Sequence, residues 1–425
     1  MKTTGQKYII TGKKPLKGEI TVSGSKNAAL PILCASLMGD GPSIIKNVPD
    51  IADIHSLLAI FGEMGVKTEF AGNTLKIDPT AIKNTEVPST LICSMRASIL
   101  LLAPLLYRFK EARLPFPGGC VLGKRPVYGH TRAFEALGVE TLDQEYALHL
   151  KVNELAGATI VMPEMTVTGT ENAVMMAAVT PGKTEIRLAA AEPHVQDLCH
   201  WLNVMGAKIT GIGSHFLQIE GVRSLQGGDY SITGDYLEAG TFAIAGVITG
   251  GEISIKGIQT NHLDSFWEKL NETGAKFELQ EDSVKILPAG PLTAVNNLRT
   301  AVYPSFPTDL QAPFAVLLTQ AEGESRIFET LFDGRLQYLY ELEKMGASVE
   351  LLNPHQAVIR GPAELKGVPI SSLDIRAGAA MVLAALCAEG TTEISNIYYI
   401  NRGYENLDAK LLSLGARIKK TEESL

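Results

Sequence analysis

The stretch KMGASVEL, Lys344 to Leu351, decides how this chain folds. It closes an amphipathic helical pattern, turns on Gly346 and continues with alternating apolar residues, which reads as helix, tight turn, strand. The same sense returns as EMGVKTEF around Gly65, ALGVETL around Gly138, VMGAKIT around Gly206, ETGAKFEL around Gly274 and SLGARIKK around Gly415, at intervals of roughly seventy residues. A single glycine after a helix is an ordinary C-cap, whereas six at a common interval describe one unit used six times. GGEISIKGI (250–258), GESRIFETL (323–331) and GTTEISNIYYI (390–400) add short strands entered through glycine and left through a polar loop. The unit is therefore α/β, and the loops that begin its helices fall at equivalent places, so their side chains can converge on a shared face.

At 425 residues the chain exceeds one ordinary core, and two domains are expected. The opening MKTTGQKYIITGKK lacks the apolar region of a signal peptide, and the longest apolar run, Ala97 to Tyr107, is too short to span a bilayer, so a cytoplasmic protein with no membrane partner is expected. The five cysteines, Cys34, Cys93, Cys120, Cys199 and Cys387, are scattered and form no C-x-x-C pair. They predict free thiols, with no zinc site and no other metal. A net charge of −8 argues against a nucleic-acid surface and leaves room for a local basic pocket that takes a small anion. The oligomeric state stays open.

Candidate site residues sit at helix starts. In VSGSKNAALPILCASLM, Ser23, Gly24 and Ser25 supply turn and cap before an apolar helix, which places Lys26 and Asn27 near a helix N-terminus as a mobile ammonium beside unpaired N–H groups. FPTDLQAPF puts Asp309 in a first turn after Thr308, and LDIRAGAAMVLAAL puts Asp374 and Arg376 at another start. Arg335 in FDGRLQYLYELEKMG and Arg402 in NRGYENLDAKLLSL read as cations at helix N-termini, where the dipole disfavours them unless an anion intervenes. Arg96 opens the most hydrophobic helix, where it pairs with an acid or faces a ligand. Cys120, framed by Gly118, Gly119, Lys124 and Arg125, reads as a thiol on a mobile cationic loop.

SGSKNAALPILCASL, PGGCVLGKRPV, FPTDLQAPF, LDIRAGAAMVLAAL and NRGYENL, in this order over essentially the whole chain, resemble the UDP-N-acetylglucosamine enolpyruvyl transferase family. The sister family that makes 5-enolpyruvylshikimate-3-phosphate lacks the Pro-Gly-Gly-Cys loop. The resemblance implies a two-domain inside-out α/β barrel of six βαβαββ repeats. Residues 1–23 and 235–425 form a discontinuous domain of three repeats, and 24–234 form a continuous domain of three repeats that carries the Cys120 loop. It implies transfer of the enolpyruvyl group of phosphoenolpyruvate to the 3-hydroxyl of UDP-N-acetylglucosamine by addition and elimination, with release of phosphate and no cofactor, at the first committed step of peptidoglycan synthesis.

By the same resemblance, Cys120, Asp309, Lys26 and Arg402 are catalytic. Phosphoenolpyruvate is held by Lys26, Asn27, Arg125, Arg335, Arg376 and Arg402, whose guanidinium forks match phosphate and carboxylate. The UDP-sugar falls to Asn27, Arg96, Arg125, Pro126, Val127, Tyr128, Gly129, Glu164, Thr166, Val167, Thr168, Asp309 and Leu331. Three places depart from the family pattern. Tyr128 and Gly129 stand where Asp-Leu or Asp-Gln is usual, Glu164 to Thr168 replace a Lys-Val-Ser-Val-Gly run, and Asn401 stands where Asp commonly precedes Arg402. The phosphoenolpyruvate residues are intact and the nucleotide residues are altered, which directs attention to the acceptor. The alternatives are an enolpyruvyl transferase for another nucleotide sugar and a non-catalytic paralogue that binds one.

Overall fold

The computed structural model describes residues 5–83, 88–116, 118, 126–143 and 147–422. Cys120 and Arg125, with Gly119 and Lys124, lie outside them. The described chain forms two compact units, one of residues 5–23 with 234–422 and one of residues 24–233.

All six repeated glycines have positive φ: Gly65 at 81°, Gly138 at 93°, Gly206 at 105°, Gly274 at 80°, Gly346 at 100° and Gly415 at 88°. Each closes a helix and admits a strand within three residues, as Leu339–Lys344 passes through Gly346 into Ser348–Asn353. The left-handed conformation there costs glycine little and a β-carbon much.

Unit 24–233 holds three sheets. Asp229–Ser231 runs parallel to Ser43–Lys46, which is followed by Thr74–Asp78 and Lys67–Ala71, both antiparallel. Thr159–Val161 is likewise parallel to Lys183–Arg187, followed antiparallel by Phe216–Glu220 and Lys208–Thr210. The third sheet, Glu111–Pro115, Ala147–Val152 and Val139–Asp143, is wholly antiparallel. In unit 5–23 with 234–422, three sheets repeat the order of a parallel pair followed by two antiparallel strands, and one of them adds Leu298–Arg299 as a second parallel partner of Ala321–Phe328. Their parallel pairs are Lys17–Thr21 on Glu252–Lys256, Leu292–Thr293 on Ala321–Phe328, and Pro369–Ser371 on Thr391–Ser395.

The sheets alternate exposed and buried positions, while the helices they cover are apolar all round and buried. Tyr236–Ile248, Gln311–Thr319 and Ile375–Cys387 pack on one another at the centre of their unit, and nearly every residue of each is buried. Lys26–Ser36 and Val167–Ala178 are as deeply buried in the other, each packed on Pro193–Val204. The ends of these buried helices are natural positions for chemistry. No helix among the described residues is long and apolar enough to cross a membrane.

Candidate active site

Asp309 organises one corner of unit 5–23 with 234–422. It lies in the single turn Thr308–Leu310 that leads into Gln311–Thr319. Its carboxylate accepts from Arg335 Nη2 at 2.6 Å and from Arg376 Nη2 at 3.1 Å. Burial alone would raise its pKa, but the guanidiniums of Arg376 and Arg335 outweigh burial and hold the carboxyl well below the usual range. Arg376 sits one residue inside a helix whose N-cap, Asp374, accepts from the backbone N–H groups of Arg376 and Ala377. Arg335 also donates to Thr308 Oγ1, which in turn donates to Glu329. Aromatic faces back both cations, with Phe332 at 5.1 Å from Arg335 and Tyr404 at 5.4 Å from Arg376. Arg335 Nε and Arg376 Nη1 make no hydrogen bond among the described residues, so each fork keeps an unused N–H.

Arg402 is buried, and Gly403 beside it packs on Ile375, the residue before Arg376; a β-carbon there would lie 2.4 Å from Ile375 Cγ2. The reading of Arg402 as a cation at a helix N-terminus is corrected. It is the C-cap of the short helix Tyr398–Asn401, the end a dipole offers to a cation, and the next helix begins only at Leu407. Arg335 likewise stands in the turn before Leu339–Lys344 rather than at its first residue. Leu331 is exposed, its N–H bound to Glu329.

In unit 24–233, Lys26 is the first residue of its helix, with Ser25 capping Ala28 N. The ammonium is not mobile as read from sequence. It is buried and paired with Asp53 at 2.8 Å, while Asn27 beside it is half-buried. Arg96, half-buried at the start of Arg96–Leu101, donates to Pro126 O at 3.4 Å. Val127 precedes the helix Tyr128–Ala136, whose exposed Tyr128 ring carries Arg132 at 5.8 Å. Gly129 meets the loop of the second altered stretch, since its β-carbon would lie 2.9 Å from Thr166 Cγ2. Thr166 is the N-cap of Val167–Ala178, and Glu164 is exposed. Arg187 is paired with Glu185.

Sequence reasoning missed Asp53, Glu329, Tyr404 and His130, which touch the named residues, and Asn172, which holds His130. A surface cavity of about 300 Å³ lined by Lys7, Glu341, Lys344 and Glu393 contains no site residue, and its charges pair among themselves. No group of acids, histidines and cysteines fit for a metal occurs among the described residues.

The profile of the EPSP synthase (3-phosphoshikimate 1-carboxyvinyltransferase) family matches residues 10–411. The chain belongs to the enolpyruvyl transferase family. Among its relatives in that family, UDP-N-acetylglucosamine 1-carboxyvinyltransferase 3 of Caldanaerobacter subterraneus subsp. tengcongensis is 43% identical over 98% of this chain and 100% of that protein. UDP-N-acetylglucosamine 1-carboxyvinyltransferase of Dichelobacter nodosus is 44% identical over 98% of this chain and 99% of that protein. Among solved structures, the enolpyruvyl transferase NikO from Streptomyces tendae superposes with a TM-score of 0.90 at 26% identity, covering 99% of this chain and 100% of that one. EPSP synthase from Acinetobacter baumannii shares the fold at a TM-score of 0.74 and 18% identity, over 98% of this chain and 100% of that chain.

Proposed function

We propose that this enolpyruvyl transferase moves the enolpyruvyl group of phosphoenolpyruvate to the 3-hydroxyl of UDP-N-acetylglucosamine and releases phosphate, in the cytoplasm and at the entry to peptidoglycan synthesis. The observation that carries the reading is the Asp309, Arg335 and Arg376 cluster, within a chain that relatives of that name match over nearly its full length. In this reading each unit is an inside-out barrel of three βαβαββ repeats, which the six turn glycines and the recurrent strand order support.

The sugar oxygen adds to C2 of phosphoenolpyruvate while a proton reaches C3. The tetrahedral adduct then loses phosphate from C2 and a proton from C3, restoring the double bond. Arg335, Arg376 and Arg402, with Lys26 and Arg125, hold the phosphate and carboxylate, whose oxygens guanidinium forks match. Asp309 stays ionised at any working pH. Its weak basicity makes it an acceptor that orients the sugar hydroxyl and passes its proton on. Cys120 protonates C3 or assists product release. Arg96 and residues 126–129 and 164–168 take the nucleotide sugar.

A phosphate-release assay with phosphoenolpyruvate and a panel of UDP-sugars tests this. Release that depends on UDP-N-acetylglucosamine supports it; release only with another acceptor refutes it.

A further inference from the structure

A chain of hydrogen bonds in unit 24–233 makes one site hydroxyl an acceptor on one side and leaves its own proton free to donate elsewhere. Asn172 is fully buried in the helix Val167–Ala178, and its amide lies between two backbone groups that each have one role. The carbonyl of Ile99 can only accept, so the nitrogen faces it at 3.0 Å, and the N–H of Ala103 can only donate, so the oxygen faces it at 3.4 Å. The same nitrogen faces Nδ1 of the buried His130 at 2.9 Å and donates to it. Nδ1 therefore carries no hydrogen, and burial keeps the ring neutral, with Arg96 opposing a positive charge further. The proton sits on Nε2, which faces Thr168 Oγ1 at 3.2 Å. Thr168 must accept there. Its own O–H makes no other hydrogen bond among the described residues, and the side chain is part-exposed.

We propose that His130 and Asn172 are positioning residues that keep the Thr168 O–H free to donate to a phosphoryl oxygen of the nucleotide acceptor. A phosphoryl oxygen is an acceptor without a proton of its own, so it suits a hydroxyl whose other side is occupied. The first-turn N–H groups beside Thr168 favour the same charge. The assignment of this loop to the nucleotide sugar rests on the function proposed above; the direction of the hydrogen-bond chain does not.

Two experiments separate those claims. Long-range proton–nitrogen NMR of the imidazole in the full chain reads the tautomer without any substrate. Hydrogen on Nε2 is expected, and hydrogen on Nδ1 overturns the chain whatever the protein's activity. Calorimetry with UDP and with UDP-N-acetylglucosamine then compares wild type with Thr168→Val, which keeps shape and loses the donor, and with Thr168→Ser, which keeps the donor. Thr168→Val should weaken both ligands on the order of tenfold, Thr168→Ser should restore them, and in turnover KM for the nucleotide sugar should rise more than kcat falls. His130→Phe, which keeps a ring and cannot donate to Thr168, should reproduce part of the Thr168→Val loss. Unchanged UDP affinity in Thr168→Val, with the wild type binding normally, overturns the proposal; a wild type that binds neither ligand overturns the function on which it rests.

Discussion

Replacing Asp309 with asparagine removes one charge and almost no volume. In the wild type the carboxylate is 26% exposed, while the guanidiniums it neutralises, Arg335 and Arg376, are 4% and 6% exposed. Removing one partner of a fully buried pair costs about 3–5 kcal/mol, and an exposed pair contributes about 0–1 kcal/mol. This intermediate case should therefore lose about 2–3 kcal/mol at neutral pH. The carboxyl is held below its unfolded value of about 3.9, so the stabilisation is complete above that pH and is lost as pH falls below it. The gap between wild type and variant should narrow in acid. Two uncovered cations attract anions, so inorganic phosphate should raise the variant's melting temperature more than the wild type's. Turnover should fall about 10²–10⁴-fold with phosphoenolpyruvate binding retained. Urea unfolding followed by circular dichroism, between pH 3 and 8 and with phosphate release assayed alongside, measures all of this. An asparagine variant as stable as wild type at pH 7, with undiminished turnover, would refute the reasoning.

The epoxide fosfomycin should label Cys120. Cys34, Cys199 and Cys387 are buried with their thiol pKa values pushed up, the last two to about 12, so Cys93, which is exposed, is the informative competitor. Peptide mass mapping that finds the adduct on Cys93 instead would overturn the loop assignment. Glu164→Lys should tighten UDP-N-acetylglucosamine binding, with a gain that shrinks as salt rises; calorimetry showing a salt-independent loss contradicts that. Gly24→Ala and Gly234→Ala should each destabilise by more than about 2 kcal/mol, because the added carbon would lie 1.7 Å from Asn47 O and 1.8 Å from Gly257 O. Gly62→Ala, inside the helix Ala52–Glu63 with nothing within 4 Å, should stabilise by about 0.5–1 kcal/mol in the same urea titrations.

Local features were legible in the sequence. The six turn glycines report a backbone angle that few other residues adopt, and Ser25, Asp235 and Asp374 cap helices through hydrogen bonds to residues two or three positions away. What was not legible depends on which elements the fold brings together. Lys26 finds Asp53 and Arg376 finds Asp309, 67 residues distant, because helix starts meet in space. Ser43–Lys46 takes its parallel neighbour from Asp229–Ser231, a pairing no local pattern announces. Arg402 was selected by a dipole argument that its true place at a helix end removes, yet it is buried, and Gly403 next to it packs on Ile375, the neighbour of Arg376. His130 and Asn172 carry no periodic signal at all, since their roles are fixed by single backbone groups of Ile99 and Ala103.

The central claim is the transfer itself, and the product tests it most directly. The full chain, given phosphoenolpyruvate and UDP-N-acetylglucosamine in deuterated water, should release one phosphate for each enolpyruvyl ether formed at the sugar 3-oxygen. Deuterium should appear on the vinyl carbon, because addition brings a solvent proton to C3 before elimination removes one. Phosphate released without the ether, or an ether carrying no deuterium, would contradict it.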